Sequence, residues 1–116
     1  VVSETDFEDN LWTFITEKTW KPIIGLRPFV INGQSSVYKY LQRHGFRTFN
    51  KYWSHIDLET CNIDDIHKNI CSVIKFLQTQ DLEQLYIDML PDLRYNKERF
   101  YEFSLEQKYK MENLFA

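Results

Sequence analysis

Cysteine is nearly absent from this chain. Cys61 and Cys71 are the two in 116 residues, too few for a disulfide scaffold. The compartment implied is a reducing one, and the cytoplasm is the expected location. Glycine and proline are as scarce, three of each, which argues against a loop-rich or disordered chain. Charge of one sign is also missing: 14 basic against 17 acidic residues leave a net charge of −3. So small an imbalance makes neither nucleic acid nor an anionic membrane a natural partner for the whole surface. No apolar run approaches the ~20 residues of a membrane-spanning helix, and no secretory signal opens the chain. There is no glycine-rich phosphate loop, no nucleophile elbow and no metalloprotease motif. His67 and Cys71 share a helix face, with His55 and Cys61 upstream, but zinc wants a tighter, more regular spacing. No metal site is expected.

What is present is apolar material. Hydrophobic residues make up 43% of the chain and aromatic residues 16%. That suffices for one modest core, so residues 1–116 are expected to form one domain. The chain opens on Val1-Val2 without a methionine, like the tail of a strand. The expectation is a piece of a longer protein.

Val1-Val2-Ser3 reads as a short strand and the acidic, cap-rich residues 4–10 as a loop. Residues 11–15 mix aromatics with threonine, as loop or extended chain. Thr16 or Thr19 caps a helix reaching to about Gly25. A start at Thr16 puts Pro22 beyond the first turn, where it kinks the helix; a start at Thr19 puts it where its missing N–H is harmless. Pro28 introduces Phe29-Val30-Ile31, an apolar run that fits a buried parallel strand, and Asn32-Gly33 turns the chain. Ser35 or Ser36 caps a helix through His44, which Gly45 ends. Residues 46–49 suggest another short strand, followed by a loop anchored by Trp53.

Ile63, Ile66, Ile70, Val73, Ile74 and Leu77 recur at helical spacing behind a capping Asn62, with Asp64 and Asp65 in the first turn. Another helix spans about 81–90, and Pro91 breaks it or begins the next. The remainder is charged, aromatic and helical in character, with Phe100, Tyr101, Tyr109 and Phe115 exposed or docked. The order strand, helix, strand, helix, short strand, helices implies an α/β fold: a small three-layer, Rossmann-like domain with a short parallel sheet flanked by helices and a helical C-terminus. Ligands of such sheets bind beyond the carboxyl ends of the strands. Residues 4–18 and 32–36 occupy those ends.

Thr16-Glu17-Lys18 stands out there. A helix N-terminus offers unpaired N–H groups and a positive dipole end to phosphate. Lys18 adds a full charge, with Lys21 and Arg27 close by, and the Glu17 carboxylate can accept both hydroxyls of a ribose diol. Cations beside a diol-binding acid suit a nucleotide sugar. The plain alternative is a capping threonine with solvated charges in the first turn.

The stretch Phe14-Ile15-Thr16-Glu17-Lys18-Thr19-Trp20, followed by Pro22-Ile23-Ile24-Gly25 and Pro28-Phe29-Val30-Ile31, resembles the donor-binding motif of the α-1,3-fucosyltransferase family. That family has the two-lobed GT-B architecture. Its motif runs aromatic-x-Thr-Glu-Lys-Leu-Trp into a helix, a small-residue turn and a Pro-Val-Val-like strand. Val2-Ser3-Glu4-Thr5-Asp6 stands where the family has a strand ending in Phe-Glu-Asn-Ser. The likeness covers most of the chain in order, and Thr16-Glu17-Lys18 is its sharpest part.

The resemblance implies a C-terminal, donor-binding lobe. Glu17 would hold the ribose hydroxyls, Lys18 the phosphate or sugar region, and Glu4 the donor sugar; Thr16 and Lys21 complete the expected nucleotide-sugar site. No cofactor is implied beyond the donor substrate, a GDP-sugar. The expected partners are the nucleotide sugar, an N-terminal acceptor lobe or partner chain, and a second copy in a homo-oligomer. Phe14 stands in place of the family's Tyr, Thr5 in place of its Asn, and Ile24-Gly25-Leu26 is bulkier than its turn. These departures leave the donor sugar open. The acceptor lobe would supply the catalytic base, so the chain alone is expected to catalyse nothing. The competing expectation is an interaction module that keeps the fold without the chemistry.

Overall fold

The computed structural model describes residues 1–3, 17–33 and 35–114, and of Glu17 the backbone alone. Two strands form the sheet, β1 (Val2–Ser3) and β2 (Ile31–Asn32). They run parallel, as the sequence implies, with Val2 opposite Ile31 and Ser3 opposite Asn32. The Val2 N–H donates to the Val30 carbonyl at 2.8 Å, which extends the pairing by one residue. The other side of β2 meets a side chain instead of a strand: the Ile31 N–H donates to the Tyr38 hydroxyl at 2.8 Å. Burial pushes the Tyr38 phenol up to about 12, so it stays a neutral partner.

Helix α1 spans Glu17–Ile24 and packs on β1. Of the two starts weighed from the sequence, the earlier holds. Thr19 is therefore no cap; it lies inside the helix and is fully buried. Pro22 sits in the helix interior, where its ring removes the N–H owed to the carbonyl four residues back. The helix ends at Ile24, beside Gly25 as expected, but the left-handed residue that closes it comes one position after the glycine. Leu26 takes the left-handed conformation, φ 55°. The Arg27 N–H then reaches the Pro22 carbonyl and the Leu26 N–H the Ile23 carbonyl, a Schellman-type closure.

Helix α2 (Ser36–Arg43) follows β2. Ser35 occupies its N-cap position without bonding the helix; its hydroxyl lies 3.7 Å from the Cys61 thiol. Gly45 closes α2 with φ 87°, as expected of a C-terminal glycine. Residues 46–49, expected to be a third strand, pair with no strand. The Arg47 backbone is engaged by the side chain of Asn96 instead. A 3-10 turn, Asn50–Trp53, buries Trp53 as the anchor of its loop.

Helix α3 (Ile63–Leu77) is the best match to expectation. Asn62 caps it, accepting from the Asp64 and Asp65 N–H groups at 3.0 and 3.3 Å. Ile66, Ile70 and Val73 turn into the core against β2, whereas Ile63 and Ile74 stay exposed. Helix α4 (Leu82–Leu114) overturns the expected break at Pro91: 33 residues run continuously through it. At 1.5 Å per residue it is about 50 Å long, nearly the 54 Å longest dimension of the molecule. Met89, Leu93 and Phe103 on one face of α4 cover the core, which compensates for the hydrogen bond that Pro91 removes.

The aromatic residues knit these helices together. Trp20 of α1 packs against Phe46 and against Phe100 and Phe103 of α4, with ring centroids 5.4 to 5.6 Å apart. Phe100 is thereby docked, while Tyr101 and Tyr109 remain exposed. Phe115 lies outside the described residues. The architecture is α-rich, with a two-stranded parallel sheet covered by helices. Among the described residues no helix is long and apolar enough to cross a membrane.

Candidate anion-binding site

The sheet, α1 and the turn after it enclose a cleft of about 580 Å3. Ser3 at the carboxyl end of β1 forms part of its wall. Lys18 and Lys21, one turn apart on α1, and Arg27 beyond the Leu26 closure all line it. Val1 and Val2, Pro22 and Gly25, and Pro28 and Phe29 complete the wall. All three cations are on the exposed surface. Among the described residues lining the cleft there is no acid. Three positive charges at the mouth of one cleft attract an anion.

The structure thus gathers part of the site expected from sequence. Lys18 and Lys21 share the cleft, and Arg27, singled out only as a neighbour in sequence, lines the same wall. Glu17 opens α1 as its first residue, beside Lys18. Glu4 and Thr16 lie outside the described residues, as do Thr5, Trp12 and Phe14. The other strand end, residues 32–36, holds a different arrangement. The Asn32 amide donates to the Ser3 hydroxyl at 3.4 Å and ties the two strand ends together.

A second polar cluster went unnoticed in the sequence. The Asp92 carboxylate of α4, largely buried, accepts from Arg47 at 3.0 Å and from the Tyr52 hydroxyl at 2.7 Å, and pairs with Lys51 at 2.7 Å. Burial alone would raise its pKa; the hydrogen bonds from Lys51, Tyr52 and Arg47 outweigh that and hold it below the ordinary value. Burial and the bond to Asp92 push the Tyr52 phenol up to about 12. A carboxylate saturated by three donors is a poor proton acceptor, so this cluster is a clasp between α4 and the 3-10 turn rather than an acid–base pair. The signal was available: Asp92 and Asn96 fall on the apolar stripe of α4, where a polar residue calls for a buried partner.

The clasp makes stability depend on acid. A depressed carboxyl pKa contributes stability above the unfolded value, near 3.8, and that contribution is lost as pH falls through the folded value. The Asp92→Asn variant lacks this titration. The stability gap between parent and variant is expected to be full near neutrality and to narrow below pH ~4, as read from denaturant midpoints across a pH series. A gap that stays constant to pH ~2 would remove Asp92 from this account.

Among the described residues, no three His, Cys, Asp or Glu side chains gather closely enough to hold a metal ion. Cys61 and Cys71 are free and exposed. Comparison with protein-family models, with curated proteins and with solved structures gives no match.

Proposed function

We propose that this chain is the donor-binding half of a glycosyltransferase, holding the diphosphate of a nucleotide sugar in the cleft between α1 and β1. The observation that carries the reading is the convergence of Lys18, Lys21 and Arg27 on one cleft alongside the parallel strand β1. A nucleoside diphosphate needs cations at its phosphates and a hydrogen-bonding carboxylate at its ribose. The Lys18 and Lys21 ammonium groups suit the first as flexible point charges, and Arg27 adds a planar fork that can take two phosphate oxygens at once. Glu17, at the start of the same helix, is placed in sequence to serve the ribose. The resemblance of the Thr16-Glu17-Lys18 segment to the fucosyltransferase donor motif points the same way. In this reading the short sheet is the centre of a three-layer Rossmann-like lobe. The acceptor site and the general base belong to a second lobe or partner chain, so the residues of this chain bind and orient the donor without breaking its glycosidic bond.

Calorimetric titration of the chain with GDP, UDP and their sugars tests this. Weak binding, with Kd on the order of a millimolar or somewhat below, is the expected result, because half of the enclosing surface is supplied elsewhere. Lys21→Glu is expected to weaken it about tenfold, ~1.4 kcal/mol, and added salt to weaken the parent. Lys21 is exposed, so the substitution leaves the fold intact. No heat from any nucleotide at millimolar concentration, or a Lys21→Glu variant that binds like the parent, would overturn the proposal. A Glu17→Ala variant with parental affinity would remove the ribose assignment alone.

A further inference from the structure

The outward face of α4 carries a pattern that neither the core nor the cleft uses. Ile87, Pro91, Arg94, Glu98, Tyr101 and Leu105 follow one another in steps of four and three, the spacing of a coiled-coil seam. All six are exposed, Leu105 to 67%. The core-facing stripe of the same helix, through Met89, Leu93, Asn96 and Phe103, lies on the opposite side. Helix α4 is therefore apolar on two faces, and a face of this kind in water calls for a partner. Arg94 and Glu98, in the middle of the seam, form no ion pair among the described residues.

We propose that this face pairs with the same face of a second copy of the chain, the two α4 helices running antiparallel about a two-fold axis at the level of residue 96. The charges select this arrangement. In a parallel pairing each residue meets its own copy, which sets Arg94 against Arg94 and Glu98 against Glu98. In the antiparallel register every layer of the seam joins residues whose numbers add to 192, and the flanking positions on the Tyr95 side join residues whose numbers add to 190. Arg94 then faces Glu98 of the second copy, and the two-fold repeats that pair. Pro91 faces Tyr101 and Ile87 faces Leu105, again twice each. Two charged layers sit at the centre with two apolar layers on either side, over a seam about 27 Å long. Tyr95, whose ring is covered by the Arg47 guanidinium at 3.9 Å, meets its own copy beside the axis. At the rim Asp88 lies near Glu102 of the second copy, a like-charge pair that keeps the dimer weak at low salt. The seam shares no residue with the cleft of Lys18, Lys21 and Arg27, so this inference stands apart from the nucleotide reading.

Sedimentation equilibrium over a concentration series tests it. The parent is expected to associate reversibly to a dimer and no further. R94E alone and E98R alone each set like charges across both central layers and are expected to weaken dimerisation at least about tenfold. Both sites are exposed, and unchanged helical circular dichroism verifies that each variant folds. The loss in the single variants selects the antiparallel register, since a parallel pairing sets like charges together in parent and variants alike; the mixture of the two tests that positions 94 and 98 meet across the interface. In the antiparallel register a heterodimer of R94E with E98R recovers both opposite-charge layers, so the mixture is expected to dimerise where neither component does. The R94E/E98R double variant is expected to dimerise like the parent. A parent that stays monomeric at every concentration overturns the proposal. So do folded single variants that dimerise as the parent does, or a mixture that stays monomeric.

Discussion

Asn96→Leu is expected to destabilise the fold by about 3 kcal/mol, from two buried backbone groups each losing a partner. Asn96 is 1% exposed. Its carboxamide oxygen accepts the Arg47 N–H at 2.8 Å and its NH2 donates to the Arg47 carbonyl at 2.8 Å. One side chain thus supplies the donor and acceptor that a neighbouring strand would have supplied. Leucine keeps the volume and excludes the water that would otherwise rescue both groups. Equilibrium unfolding in urea, followed by circular dichroism, reads the effect; a loss under ~1 kcal/mol would show that the pair of bonds contributes little.

Asn96→Asp gives a sharper variant of the same test. The carboxylate still accepts from the Arg47 N–H but turns an anionic oxygen toward the Arg47 carbonyl. Acid restores the missing donor by protonating that oxygen. This carboxyl has a raised pKa in the folded state, so its destabilisation is present above the folded pKa and fades as pH falls below it. The variant is expected to close part of its gap to the parent on acidification. A gap independent of pH would mean that the second bond is immaterial.

Gly45→Ala is expected to lose about 2–3 kcal/mol for two separable reasons. The residue has φ 87°, a conformation that an L side chain resists. A methyl group there would also stand 2.9 Å from the Arg99 Nε. Arg99 is not free to retreat: its Nε donates to the His44 carbonyl at 2.7 Å, and its two terminal nitrogens bond Glu106 at 2.9 and 3.1 Å. Relief of the clash breaks the contact that holds the end of α2 to α4. A double-mutant cycle separates the two causes. In an Arg99→Ala background the clash is gone, and Gly45→Ala is expected to lose only the backbone part, about 1–2 kcal/mol. Equal losses in both backgrounds would mean that Arg99 yields without resistance.

The candidate cleft was half legible. The residue types of the α1 start, Glu17 with Lys18 and Lys21, suggested an anion site, because a charge cluster at a helix start is a local property. The inclusion of Arg27 was not local. It depends on the Leu26 closure, which redirects the chain so that a residue past the helix lines the same wall. The Asp92 clasp was hidden for the same kind of reason: its donors at 47, 51 and 52 lie some 40 residues from it in sequence.

The sequence by itself determined helices α2 and α3 and where they stop. Caps such as Asn62, stops such as Gly45 and the 3.6-residue stripe of α3 involve neighbours within a turn or two, so they are written where they act. It also determined that the opening residues and the apolar run near Ile31 would lie in parallel, although the paired residues are Ile31 and Asn32 instead of 29–31, with Asn32 taken from the expected turn. Only the tertiary structure decided the rest. Residues 46–49 are no strand, because a strand requires a partner and Asn96 took that place. Pro22 lies in a helix interior and Pro91 in an unbroken 33-residue helix, because packing around Trp20, Met89 and Leu93 outweighs one missing hydrogen bond. Local signals fix what a segment can become; contacts from distant residues fix which of those states is lowest in free energy.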